Sequence, residues 1–270
     1  MKKLYFLGPR GTYSELAAKK IARVLNDEVE LVQVSTIAKI VDLAQQENSF
    51  AILPIENLIE GIVRPTIDYL YESNLKIQAQ FEIEIKHCLF SKGKKEDIRN
   101  IISHPQALAQ CSKYILENFD ENVGLIAASS TSAAVNELLN KDEGYGAICD
   151  CAIGEQLGLN LIDKNIGDNK ENKTRFVLVS LDELNLGVET RTSIVFNTKN
   201  ESGALLNILE IFKKHGLNLV YIESRPSKKV FGEYNFFVDI DKGIKEIVQA
   251  IQEVETVCNF YKFLGSYPAV

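Results

Sequence analysis

The alternation of short apolar runs with helix-patterned stretches constrains this chain more than any other feature. "KLYFLG", "VELVQV" and "SFAILPI" are separated by a helical pattern after Thr12 and another across residues 36–46. That βαβαβ rhythm predicts a parallel sheet with covering helices. Thr12-x-x-Glu15 has the spacing of a capping box, and Ala17, Ile21, Val24 and Leu25 form the apolar face behind it. Gly61 and Pro65 open a further helix, "TIDYLYESN", and "LKIQAQFEIEIKHCLFS" carries the chain on as one or two strands.

The same plan then repeats. "NIISHPQALAQCSKYIL" reads as strand then helix, with Ser103-x-x-Gln106 as a second capping box and Leu108, Cys111 and Ile115 on one face. "VGLIAASSTSAAVNELL" and "YGAICD" extend a second small α/β unit, expected over roughly residues 78–155 within a first part spanning 1–182. From Arg191 the order changes to strand, helix, strand, strand, helix, strand. Residues 191–270 are therefore expected to form a ferredoxin-like βαββαβ unit, with Tyr234, Phe236, Val238 and Ile240 alternating on a one-sided sheet.

A chain of 270 residues with 46% hydrophobic content suits two or three such units. Its net charge of −7 argues against nucleic acid as a partner, because phosphate binding calls for a basic face. The apolar run before Gly8-Pro9 is too short for a secretory signal, and no stretch approaches the roughly 18 apolar residues of a membrane span. A cytoplasmic protein without a membrane partner is expected. The five cysteines, Cys88, Cys111, Cys149, Cys151 and Cys258, form no C-x-x-C pair and are read as reduced and mostly buried.

In open α/β sheets, ligands sit at the carboxyl ends of strands, where helix N-termini offer N–H groups to anions. Four segments place small or hydroxylic residues at such turns: "GPRGTYSE", "PIENLIEG", "ASSTS" and "NKTRF". Together they describe an anion pocket. Each also has a purely structural reading: Thr12, Ser14, Ser130 and Thr131 are common helix caps, Asn57 suits an Asx turn, and His104 beside Pro105 suits a helix start. No Gly-rich phosphate loop, metal-ligand cluster or dinucleotide fingerprint is present, so neither cofactor nor metal is expected.

Taken in this order, the segments resemble one family, the prephenate dehydratases. The resemblance rests on Gly8-Pro9-x-Gly11-Thr12-x-Ser14-Glu15, Pro54-Ile55-Glu56-Asn57 with Glu60-Gly61-x-Val63, His104 through Cys111, Ser130-Thr131 and Thr174-Arg175-Phe176. The tail resembles an ACT regulatory domain, with Ser202 to Leu206 in place of the "GALV" motif and Glu223-Ser224-Arg225-Pro226 as "ESRP". One departure is Leu58, where the family usually has Ser.

The resemblance implies a two-lobed, periplasmic-binding-protein-like catalytic part and an ACT domain that binds L-phenylalanine between subunits of a homodimer or homotetramer. The implied reaction converts prephenate to phenylpyruvate with loss of carbon dioxide and water. Thr174 would donate a hydrogen bond to the departing oxygen. Arg175 would hold the pyruvyl carboxylate or steady that oxygen. Thr12, Ser14, Asn57, Gly61, Ser130, Thr131 and Phe176 would line the substrate, with Glu56 turned away to brace a loop. Gly203, Ala204, Leu205, Leu206, Asn218, Glu223, Ser224 and Arg225 would bind the effector. Arogenate is an alternative substrate. A non-catalytic sensor is the alternative of a different class, against which the intact "TRF" speaks.

Overall fold

The computed structural model describes residues 1–25, 28–228 and 230–270. Its first sheet is built from β1 (Lys2–Leu7), β2 (Val29–Val34), β3 (Ser49–Asn57), β4 (Gly61–Ile62), β5 (Lys76–Glu84) and β11 (Lys173–Ser180). The order is β2-β1-β3-β11-β5, with β4 paired to β3. β1, β2 and β3 run parallel as expected, but β11 is antiparallel to both neighbours. The chain leaves this sheet after β5 and returns along β11, a reversal that periodicity does not reveal.

Helices α1 (Tyr13–Val24), α2 (Ile37–Ala44) and α3 (Arg64–Glu72) cover the sheet. Thr36 caps α2 by accepting from the Lys39 amide. The box expected at α1 is not formed. The Thr12 hydroxyl donates to the carbonyls of Leu7 and Pro9, while Glu15 accepts from the amide of Gly11.

The second sheet comprises β6 (His87–Ser91), β7 (Asn100–Ser103), β8 (Gly124–Ala127), β9 (Tyr145–Asp150) and β10 (Asn160–Asp163), in the order β10-β6-β9-β7-β8. Around it lie α4 (Pro105–Gln110), α5 (Ser112–Asn118), α6 (Thr131–Leu138) and α7 (Cys151–Gln156). This lobe therefore begins near His87 rather than residue 78 and runs on to Asp163, because β5 stays in the first sheet. His104 caps α4 through Nδ1, whereas Ser103 donates to the Ile148 carbonyl. Here the capping residue itself differs from the expected one.

The reading of five reduced cysteines needs correction: Cys88 and Cys151 are disulfide-bonded, leaving Cys111, Cys149 and Cys258 as thiols. Sequence spacing could not show it, since β6 and the start of α7 meet only in the folded lobe.

The tail forms β12 (Arg191–Asn197), α8 (Ala204–Lys214), β13 (Leu219–Pro226), β14 (Tyr234–Ile240), α9 (Ile244–Val257) and β15 (Phe260–Tyr267), with sheet order β13-β14-β12-β15. This is the expected βαββαβ unit. One face packs under α8 and α9 through Phe196, Ile208, Phe212, Val238 and Ile251. The other face joins the first lobe, where Val195, Phe237, Leu264 and Tyr267 share a core with Leu70, Ile77, Val177 and Val179. Lys262 from β15 donates to the carbonyls of Leu70, Tyr71 and Ser73, which caps the end of α3. Among the described residues, no helix is long and apolar enough to cross a membrane.

Candidate active site

Topology brings the four polar segments to facing edges of two sheets. The carboxyl ends of β1 and β3 and the start of β11 share one edge, with Thr174 opposite Asn57 in register. The carboxyl ends of β7, β8 and β9 lie together at one edge of the second sheet, leading into α4, α6 and α7. The lobes touch at several points. Gly11 adopts φ +78°, and a Cβ there would stand 3.2 Å from the Ser132 Cβ, so glycine serves both the turn and the approach. The Tyr13 hydroxyl donates to the Lys86 carbonyl at 2.9 Å.

Asn57 organises the centre. Its Oδ1 accepts from the amides of Ile59 and Glu60, the Asx turn expected at this position. Its Nδ2 lies 2.9 Å from Thr174 Oγ1, 2.9 Å from Asn172 Oδ1 and 3.1 Å from the Lys173 carbonyl. Since Asn57 donates to the threonine oxygen, the Thr174 O–H remains available as a donor to something else. Asn172 Nδ2 continues the network to Gln110 Oε1, which is also 3.0 Å from His87 Nε2. Gln110 Nε2 in turn donates to Glu60 across the lobes.

These bonds set a tautomer. Gln110 Oε1 can only accept, so His87 must present Nε2–H to it, and Nδ1 is left buried without a partner. Burial is the largest influence on His87 and holds its pKa below the ordinary histidine value, against the opposing pull of Gln110 and Asp150. A neutral imidazole fits this position. Burial also raises the Tyr13 phenol, with Asp150 acting in the same direction, so Tyr13 is a neutral donor. His87, Gln110, Asn172 and Tyr13 were not singled out from the sequence. The His-Cys pair inside "KHCLFS" was the available signal for His87, but polar residues within apolar runs are common.

The other expected site residues are distributed as follows. Ser130 caps α6 by accepting from the Ala133 amide and lies 3.1 Å from Ser132 Oγ; Thr131 begins that helix. Ser14 is buried within α1, and Gly61 pairs with Asn57 through β4. Phe176 does not line the cleft: it is buried in the core under α1, with its ring stacked on Phe81 at 6.1 Å. Arg175 also needs correction. It lies on the opposite face of β11 from Thr174, in the row with Val177 and Val179, and is only 8% exposed. Its guanidinium meets Glu56 at 3.1 Å, Gln80 at 3.1 Å and Asp239 of the tail domain at 2.7 Å. Strand alternation turns consecutive side chains to opposite faces, so Thr174 and Arg175 cannot grip one small anion together. Glu56 does face away from the cleft, and it braces Arg175.

Leu58 lies beside a groove on that Arg175 side, 61% exposed, lined also by Glu56, Glu82 and Lys173. Its side chain is not packed into the core.

The effector residues do not converge within one chain. Gly203 to Leu206 line a groove of about 340 Å³ with Thr198, Gly232, Tyr234 and Phe236. Gly203 is the N-cap of α8 at φ +85°. Asn218 instead donates to Asp241, and Ser224 is exposed on the edge strand β13. Glu223 accepts from the Tyr221 hydroxyl, while Arg225 makes two bonds to Asp68 of α3, at 3.0 and 2.9 Å. Arg225 is thus committed to the first lobe rather than to the groove.

Two α/β lobes meeting along polar sheet edges, with a βαββαβ unit packed on the first, define a two-lobed α/β protein carrying an ACT-like domain. Comparison with known proteins narrows this. Residues 4–184 match the prephenate dehydratase family and residues 192–259 match the ACT domain family. The prephenate dehydratase of Methanocaldococcus jannaschii is 36% identical, with 99% of this chain and 98% of that protein covered. The bifunctional chorismate mutase/prephenate dehydratase of Aquifex aeolicus is also 36% identical, over 98% of this chain and 73% of that one. A solved prephenate dehydratase from Arthrobacter aurescens, in complex with L-Phe, superposes with a TM-score of 0.87 at 31% identity, covering 98% of this chain and 89% of that one. The chain belongs to the prephenate dehydratase family.

Proposed function

We infer that this chain converts prephenate to phenylpyruvate in L-phenylalanine biosynthesis, as a cytoplasmic homo-oligomer regulated by L-phenylalanine. The hydroxyl of Thr174 serves as hydrogen-bond donor to the departing oxygen. The observation that carries this reading is the 2.9 Å bond from Asn57 Nδ2 to Thr174 Oγ1, which occupies a lone pair of the oxygen and leaves its proton for the substrate. Loss of ring carboxylate and hydroxide yields an aromatic product, so catalysis needs help concentrated on the leaving group. A donor that strengthens as negative charge develops on that oxygen supplies it. Ser130, Thr131 and Thr12 would offer neutral groups around a substrate whose charge is changing. Arg175 acts through the strand rather than on the substrate.

Residues 1–182 would form the catalytic part and 191–270 the regulatory domain. The edge strand β13 exposes Val220 and Ile222, and Leu206 of α8 is exposed as well. An apolar sheet edge of this kind supports pairing with a second copy, which would bring effector residues from two chains together.

The test is incubation of purified protein with prephenate and, separately, arogenate, with and without L-phenylalanine. Phenylpyruvate formed from prephenate, at a rate altered by L-phenylalanine, is the expected result. Binding of prephenate without turnover would favour a sensor.

A further inference from the structure

We propose that Asp239 of the ACT domain is a positioning residue for the catalytic strand, holding Arg175 so that the state of the regulatory sheet is felt at Thr174. The proposal rests on the assignment of Thr174 as the donor to the leaving group.

The geometry makes one unit of two pairs. Asn57 and Thr174 are bonded on the cleft side, and their chain neighbours Glu56 and Arg175 are bonded at 3.1 Å on the domain side. Thr174 pairs in register with Asn57 and Arg175 with Glu56, on adjacent rungs of one ladder. A shift of the guanidinium therefore moves both residues that set the Asn57–Thr174 bond. Asp239 is fully buried and meets Arg175 at 2.7 Å.

Asp239 is itself anchored by the regulatory sheet. Ser193 of β12 donates to its Oδ1, and the Ser193 hydroxyl is 2.6 Å from that of Tyr267 in β15. Asp239 also sits in register with Tyr221 of the edge strand β13, the strand that would meet a second copy. Separating two buried charges without water is costly, so a displacement of β14 is more readily followed by Arg175 than resisted. A misplacement of about 1 Å in a catalytic group can cost on the order of a hundredfold in rate. An effector that repositions β14 by a fraction of that has a direct route to the reaction, and the effect is bounded by its differential affinity for the two arrangements.

The experiment uses the full chain with Asp239→Asn, Arg175→Gln, the double variant and Ser193→Ala. Asp239→Asn should lower kcat about tenfold while KM stays within about threefold, and should flatten the response to L-phenylalanine. The double variant should be no worse than the poorer single, since both remove one interaction. Hydrogen exchange of peptides spanning residues 172–180 supplies a readout that needs no turnover. L-Phenylalanine should change their protection in the unaltered chain and leave it unchanged in Asp239→Asn. Should Asp239→Asn fail to fold, Ser193→Ala should show the same losses in weaker form. The proposal is overturned if the variants only melt earlier while kcat, effector response and exchange in 172–180 stay as in the unaltered chain. If Thr174 proved dispensable while the exchange result held, the mechanical link would stand and the assignment of the threonine would fall.

Discussion

Thr174 and Arg175 are adjacent in the chain and point to different worlds, one to the cleft and one to the regulatory domain. The two should respond differently to substitution. Thr174→Val preserves shape and removes the hydroxyl, so kcat should fall about 10²–10³-fold, whereas Thr174→Ser should keep much of it. Both should fold, because one strand-end hydrogen bond contributes only about 0.5–1.5 kcal/mol. Steady-state turnover of prephenate together with urea midpoints checks this, and normal turnover by the Val variant would remove Thr174 from the reaction. Thr174 and Asn57 were legible as a polar cluster. The sharing of Asn57 with Asn172, Gln110 and His87 was not, because those side chains come from segments far apart in the chain that meet only once it has folded.

At the scale of elements, α3 is the second tie between the parts. Arg225 holds Asp68 in its middle and Lys262 caps its end, while its first turn follows the Asn57–Gly61 loop. The Arg225 hydrogen bonds are the first cause that depresses the Asp68 pKa, with burial opposing. A carboxylate whose folded pKa lies below its unfolded value stabilises the fold fully above the ordinary aspartate value of about 3.9, and loses that contribution as pH falls through the folded value. Asp68→Asn should therefore be less stable than the unaltered chain at pH 7. The gap should close in acid below the ordinary aspartate range, as followed by urea unfolding at several pH values. A gap independent of pH would deny Asp68 its charge-pair role. The strands and helices of the tail were legible from the order of apolar runs and from alternation such as that of Tyr234, Phe236, Val238 and Ile240. The commitment of Arg225 to α3 was not, because a motif places a residue at a turn without saying which neighbour the folded chain brings to it.

For the molecule as a whole, the regulatory domain is part of the first lobe's core. Val195, Phe237, Leu264 and Tyr267 pack with Leu70, Ile77, Val177 and Val179, and the amide of Val270 donates to the Gln80 carbonyl of β5. A chain ending near Val188 should melt at a lower temperature, since that apolar face becomes wet. It should still convert a measurable part of the prephenate offered, because Arg175 would then be hydrated and keep Glu56. It should ignore L-phenylalanine. Thermal unfolding and turnover with and without the amino acid check all three, and a response equal to that of the full chain would place the effector site outside residues 191–270. What the sequence by itself determined is the order of the elements, the two α/β repeats, the βαββαβ tail and the polar segments at strand ends. These follow from local periodicity and turn chemistry, which are written in neighbouring residues. Only the tertiary structure decided that β11 runs antiparallel beside β3, that Arg175 turns from the cleft to Asp239, and that Phe176 is core. Strand partners and the contents of each face are set by contacts between residues far apart in the chain. One step of strand alternation is enough to send a charged side chain to the opposite side of the sheet.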